Sequence, residues 1–206
     1  MIPAVAEPVH APGVVGGTQA LPFPSLPGPL LIRVTARGDA RGHFAEVWKR
    51  SVFEKVGLDA EFVQDNHSAS ARAGTLRGLH FQRPPAAQGK LVRVVRGRIV
   101  DVAVDIREGS PTFGRHIACE LSAGDWRHLW VPRGFAHGFL TLEPDTEVTY
   151  KVDAEYAAEH DAGIAWDDPA LAIPWPLPPG GAVLSDKDSR APRLADIPPP
   201  FPAGSW

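Results

Sequence analysis

The chain has 206 residues, 21 of them basic and 24 acidic, for a formal net charge of -3. That balance provides no extended positive field, which excludes nucleic acid as a partner and leaves small anions. The length suits one domain with one sizeable core, and Cys119, the lone cysteine, excludes an intramolecular disulfide or a cysteine-based zinc site and suits a reducing compartment.

A soluble cytosolic protein without membrane contact is therefore expected, since no window approaches the run of about 20 apolar residues that a spanning helix needs. Residues 1–28 are broken by Pro3, Pro8, Pro12, Pro22, Pro24 and Pro27, with no basic start and no continuous apolar stretch. They read as a flexible arm and not as a secretory leader.

From Leu30 onward, short apolar runs alternate with turn residues: Leu31 to Val34, Phe44 to Trp48, Phe62 to Gln64, Leu76 to Gln82, Leu91 to Val95, Ile99 to Ile106, Ile117 to Leu121, Leu129 to Val131, Phe139 to Leu142 and Val148 to Val152. Such spacing predicts an all-β sandwich or barrel. Ser51 to Gly57 is the one clear helical stretch, with a serine start and a glycine stop. Leu91 to Val95 and Ile99 to Asp105, joined at Gly97, read as a hairpin, with Val100, Val102 and Val104 on one face and Asp101 and Asp105 on the other. The stretch from Ile173 is proline-rich, but Trp166 and Trp175 carry too much apolar surface for a free tail and are expected to pack back on the barrel. The domain is placed at residues 29–195, with 196–206 as a tail.

Chemistry concentrates in Leu76-Arg77-Gly78-Leu79-His80-Phe81-Gln82 and in Lys90, ten residues beyond His80. An imidazole that titrates near neutrality can take a proton from carbon, and a fixed ammonium can hold the charge left on a neighbouring oxygen. Strand parity sets a condition. In a regular strand Arg77 and His80 point to opposite faces, so both reach one cavity only if the strand is irregular, and Gly78 is where a bulge is expected.

The metal reading meets an obstacle. Pro132-Arg133-Gly134-Phe135-Ala136-His137 fits the second half of the metal-binding cupin signature, but His80-Phe81-Gln82 puts glutamine where the first half needs its second histidine. A metal-free polar pocket is expected instead, lined by Gln64, Asn66, Arg77, His80, Lys90, His137 and Tyr150. Each has a plainer explanation: Asn66 can cap a turn, Arg77 can pair on the surface, and His137 can be a satisfied core histidine.

Taken in order, these runs resemble the dTDP-4-dehydrorhamnose 3,5-epimerase family, sugar-nucleotide enzymes on a cupin-type jelly roll. The resemblance rests on Asp39 to Phe44 and Glu46, Gln64 to Ser68, Leu76 to Gln82, Gln88 to Val92, Asp101 to Arg107, Gly109 to Gly114, Pro132 to Phe139, Tyr150-Lys151 and Tyr156, Trp166 to Pro169, and Leu184 to Asp188. It implies His80 as the general base, Asp188 as the partner of its other ring nitrogen, Lys90 as the holder of the enolate oxygen, and Tyr150 as the proton donor on the opposite face. It also implies that Arg41, Glu46, Gln64, Asn66, Arg77, His137, Tyr156 and Lys187 contact nucleotide and sugar. No cofactor is required, and a homodimer is implied, with Arg41 or Glu46 reaching the neighbour's pocket. The family usually has glutamate where this chain has Asp161. Epimerisation at one carbon or two stays open, as do a ketoisomerase, a noncatalytic sugar-nucleotide-binding barrel and a metal-dependent oxygenase.

Overall fold

The computed structural model describes residues 14–203. Among the described residues thirteen strands run in chain order: β1 Thr18–Pro22, β2 Leu30–Val34, β3 Arg37–Asp39, β4 Gly42–Phe44, β5 Gln64–Ser70, β6 Leu76–Gln82, β7 Lys90–Arg96, β8 Arg98–Asp105, β9 His116–Ser122, β10 Arg127–Val131, β11 Phe135–Thr141, β12 Thr146–Val152 and β13 Asp161–Gly163. One sheet has the order β1-β2-β10-β7-β12-β5 and faces a second of order β13-β6-β11-β8-β9, while β3 and β4 form a separate two-stranded ribbon. This is the expected all-β jelly roll. Between the sheets lies a core that includes Leu31, Val92, Val94, Leu129 and Val148 from the first and Ile99, Ala103, Ile117, Leu121 and Phe139 from the second. Apolar alternation along each strand accounts for that face.

The Gly97 turn departs from expectation. β7 and β8 lie in different sheets, so the chain turns a corner there instead of closing a hairpin. Gly97 has φ +77, and a Cβ on it would stand 2.4 Å from Thr146 Oγ1. Alternation reports buried faces, and β8 is buried on both, with Asp101 and Asp105 wholly inside. Asp105 is matched by Arg107, Ser110 and Thr112, which satisfy a carboxylate that could not otherwise sit there.

The arm expected over 1–28 is also corrected. Residues 18–22 pair with β2 in full register, and Phe23 and Leu26 are fully buried, because the prolines fall at the edge strand's end and in the turn beyond it. The remainder of that stretch, residues 1–13, lies outside the described residues. The short helix α1 runs Arg50–Phe53 and continues as a 3-10 turn to Val56, closed by Gly57 at φ +97. Its N-cap is Lys49, and Ser51 provides no cap.

The C-terminal stretch packs back as expected. Trp175 Nε1 donates to the Trp166 carbonyl at 2.9 Å, and Trp175 lies against the outer core of the second sheet. The described part of the tail beyond 195 joins it, because Phe201 is buried and tilts against Phe81. No helix among the described residues is long and apolar enough to cross a membrane.

Candidate active site

Residues of both sheets line a cavity of two adjoining lobes, about 440 and about 330 Å³. His80, Lys90 and Tyr150 line both lobes. His80 comes from β6 in one sheet, while Lys90 and Tyr150 come from β7 and β12 in the other. An imidazole and a phenol thus enter one space from opposing walls.

The irregularity expected at Gly78 brings Arg77 and His80 together. β6 pairs His80 with His137 and Arg77 with Phe139, so three steps on β6 span two on β11. That extra residue restores common facing to Arg77 and His80, and both line the larger lobe. Only glycine fits, since a Cβ on Gly78 would meet Gly138 Cα at 2.6 Å and the His137 carbonyl oxygen at 2.7 Å.

His80 is oriented by a buried carboxylate, with Nε2 2.5 Å from Asp188 Oδ1. Burial works to raise the Asp188 acid, but the hydrogen bond and charge of His80, with help from Ser185 and the Gly78 backbone N–H, hold it below the usual carboxylate range. An ionised Asp188 makes Nε2 the donor and leaves Nδ1 as the ring's lone-pair nitrogen. His137 has a parallel arrangement, donating from Nε2 to Asp101 Oδ1 at 2.6 Å.

Lys90 Nζ donates to the His80 carbonyl oxygen at 3.3 Å. Burial lowers its pKa from 10.5 to about 8, against the pull of Asp161 and Asp101 and with a push from Lys187. Burial also pushes the Tyr150 phenol up, so it remains a proton carrier at neutral pH. Arg77 spends Nε on Ser70 Oγ and one Nη2 hydrogen bond on the Ala69 carbonyl, which fixes its fork at the wall of the larger lobe.

The smaller lobe holds Gln64, Asn66, Tyr156, Asp161 and Lys187. Lys187 pairs with Asp161, and the Tyr156 hydroxyl donates to the same carboxylate at 3.2 Å. Gln64 donates to Asn66 Oδ1 at 2.8 Å and accepts from the Tyr156 N–H at 2.9 Å, so its amide is committed to the protein.

Residues 24–196 match the family model described as dTDP-4-dehydrorhamnose 3,5-epimerase. The chain belongs to that family. A dTDP-4-dehydrorhamnose 3,5-epimerase of Sinorhizobium fredii is 55% identical over 171 residues, covering 83% of this chain and 87% of the relative. The crystal structure of the Bacillus anthracis enzyme with TDP and PPi bound superposes with a TM-score of 0.82 at 48% identity, covering 85% of this chain and 99% of that one. A Legionella pneumophila epimerase in complex with dTDP-4-keto-L-rhamnose gives 0.83 at 41%, covering 88% and 95%.

Of the family positions expected from the sequence, Gln64, Asn66, Arg77, His80, Lys90, His137, Tyr150, Tyr156, Lys187 and Asp188 all line the cavity. Arg41 and Glu46 do not. Arg41 stands exposed beside the β3–β4 ribbon and pairs with Asp39, and Glu46 pairs with Lys49. All six residues of the two ribbon strands are exposed. Sequence reasoning passed over Asp101 as the partner of His137, having read it only as one face of a strand. It also passed over the committed roles of Asp161 and Gln82, whose signals lie in hydrogen-bond geometry that spacing does not encode.

Proposed function

We propose that this chain inverts the carbons flanking the C4 ketone of a dTDP-linked 4-keto-6-deoxyhexose, C3 and C5, through an enolate. The observation that carries the reading is the placement of His80 and Tyr150 in one cavity on opposing sheets with Lys90 beside them. A proton returned by the group that removed it restores the starting configuration, so inversion needs two groups on two faces. His80 takes the proton from the α-carbon, and its contact with Asp188 stabilises the imidazolium that results. The electron pair moves to the C4 oxygen, where the Lys90 ammonium meets the developing charge. Tyr150 then delivers its proton to the other face.

Arg77 serves the diphosphate, since a guanidinium fork matches phosphate oxygens. Asn66, Lys187 and Tyr156 serve the nucleotide and sugar from the smaller lobe, and His137 serves the sugar from the larger. Gln64 acts through its contacts with Asn66 and Tyr156. The chemistry asks for no cofactor. The exposed ribbon with Arg41 supports a homodimer in which it reaches the partner's cavity, completing the anion site. A reducing cytosol suits the free, buried Cys119.

Deuterium wash-in from solvent tests the reading. Label at both carbons supports it, label at one makes the enzyme a single-site epimerase, and dTDP binding without any label makes the barrel a noncatalytic binder.

A further inference from the structure

The segment between β12 and β13, residues 153–160, has no strand or helix of its own, yet it presents Tyr156 at the rim of the smaller lobe with 58% of its surface exposed. An irregular segment needs outside partners for its backbone groups. Around Tyr156, from Ala154 to Ala157, those partners include three glutamine amides, while Arg133, Gly89 and Arg83 hold the segment's ends at Asp153 and His160. Gln82 Nε2 donates to the Glu155 carbonyl at 3.1 Å, and Gln82 Oε1 accepts from the Ala157 N–H at 2.8 Å, so one amide brackets Tyr156 on both sides. Gln64 Oε1 accepts from the Tyr156 N–H itself at 2.9 Å, and Gln88 Nε2 donates to the Ala154 carbonyl at 2.7 Å.

Gln82 is only 3% exposed, and its second donor goes to the Ala86 carbonyl at 2.7 Å, which leaves its amide saturated by backbone. It stands directly across the β6–β13 ladder from Asp161, the carboxylate that receives the Tyr156 hydroxyl. Both ends of the tyrosine are therefore fixed from the same rung. An ionised carboxylate or an apolar side chain at position 82 cannot both accept from Ala157 and donate to Glu155, and a neutral histidine has a single donor where the Gln82 amide uses two, on Glu155 and Ala86.

We propose that Gln82, assisted by Gln64 and Gln88, is a positioning residue for ligand binding: it holds Tyr156 at the rim so that the ring offers a flat face to the base of the bound nucleotide. Gln82 occupies the position where metal-binding cupins carry a histidine, and its work here is directed outward to the rim. The proposal rests on the sugar-nucleotide reading above and adds the means by which the base end of the site is held.

The test compares wild type with Gln82→Glu and Gln88→Ala by calorimetry with dTDP and with inorganic pyrophosphate, alongside turnover of the keto sugar. Gln82→Glu keeps the acceptor for Ala157 but turns a bare oxygen toward two carbonyls. The expected result is dTDP affinity lowered about tenfold, pyrophosphate affinity within about twofold of wild type, and a raised KM with kcat held within about threefold. Gln88→Ala removes one tether at the lobe's edge and is expected to move dTDP affinity the same way by a smaller factor of about three; it decides the matter if Gln82→Glu fails to fold.

Unchanged dTDP affinity in the folded variants overturns the proposal, as does a fall in kcat at constant KM. A loss shared equally by pyrophosphate also overturns it, since that would mark general disorder of the site. If wild type itself binds no dTDP, it is the functional reading that has failed.

Discussion

His80 on β6 and Tyr150 on β12 look into one cavity from opposite sheets of the sandwich. Replacing His80 with Asn removes the base while keeping a side chain of similar reach. Solvent exchange at the sugar carbons is expected to fall by about 10³-fold, within the usual range for a general base, with dTDP affinity unchanged. Exchange near the wild-type rate would assign the base to another residue.

Tyr150→Phe separates the two half-reactions. The first deprotonation survives, because His80 and Lys90 are untouched, while delivery from the far face loses its proton. Net epimerisation is expected to drop about 10²-fold and wash-in of label by much less. Equal losses in the two rates would place Tyr150 in the deprotonation step.

Lys90 ties activity and stability to pH in opposite senses. Burial lowers its pKa from 10.5 to about 8 in the folded protein. The alkaline limb of kcat/KM should therefore fall near pH 8, as the ammonium that holds the enolate is lost. Between about 8 and 10.5 the unfolded chain binds the extra proton, so this residue's cost to stability is full below pH 8 and is relieved as pH rises. Lys90→Met is expected to cost at least about 10²-fold in kcat yet to stabilise the fold at pH 7 by roughly 1–3 kcal/mol, read as a higher Tm. A lower Tm would show that its neighbours compensate the buried charge.

Asp188 gives the opposite sign. Its carboxyl is held below the ordinary value of 3.8 by its His80 contact, so the stability it contributes is present above that pH and lost as acid protonates it in the fold. Asp188→Asn should flatten the acid limb of a Tm-against-pH curve below the ordinary carboxylate value of 3.8. An unaltered curve would mean that the pair carries no net stability.

The close approach of β6 and β11 makes a structural prediction. Gly138 has an ordinary backbone, but a methyl there would meet the Arg77 carbonyl oxygen at 2.8 Å and Leu79 Cδ2 at 3.0 Å. Gly138→Ala should destabilise by about 1–3 kcal/mol, whereas Gly124→Ala, which meets nothing within 4 Å, should leave Tm unchanged. Equal melting temperatures for the two variants would show that the bulge can shift at no cost.

Much of this was legible in the residues, for identifiable reasons. β6 was read at its true bounds, Leu76 to Gln82, because apolar residues fill it and glycines and prolines flank it. The need for a break at Gly78 followed from parity alone. β5 was placed too early, at Phe62 to Gln64, because its inner face, Gln64, Asn66 and Ser68, lines a polar cavity and shows no apolar alternation. β1 was lost to its neighbouring prolines, and the Gly97 corner looked like a hairpin because local turn chemistry does not say which sheet the next strand joins. His80, Lys90, Tyr150 and Asp188 converge from four separated segments, and it was the family resemblance, not periodicity, that joined them. Arg41 and Glu46 lie outside the cavity, paired with Asp39 and Lys49, which no local pattern reveals.

The central claim is inversion by two groups on two faces, and proton NMR of dTDP-4-keto-6-deoxyglucose with the wild-type enzyme in deuterated water tests it most directly. The expected result is loss of the C3 and C5 proton signals, collapse of the C6 methyl doublet to a singlet, and a changed H1–H2 coupling in the inverted product. Exchange at these carbons with the starting configuration retained would contradict it, because the same face would then be giving and receiving the proton.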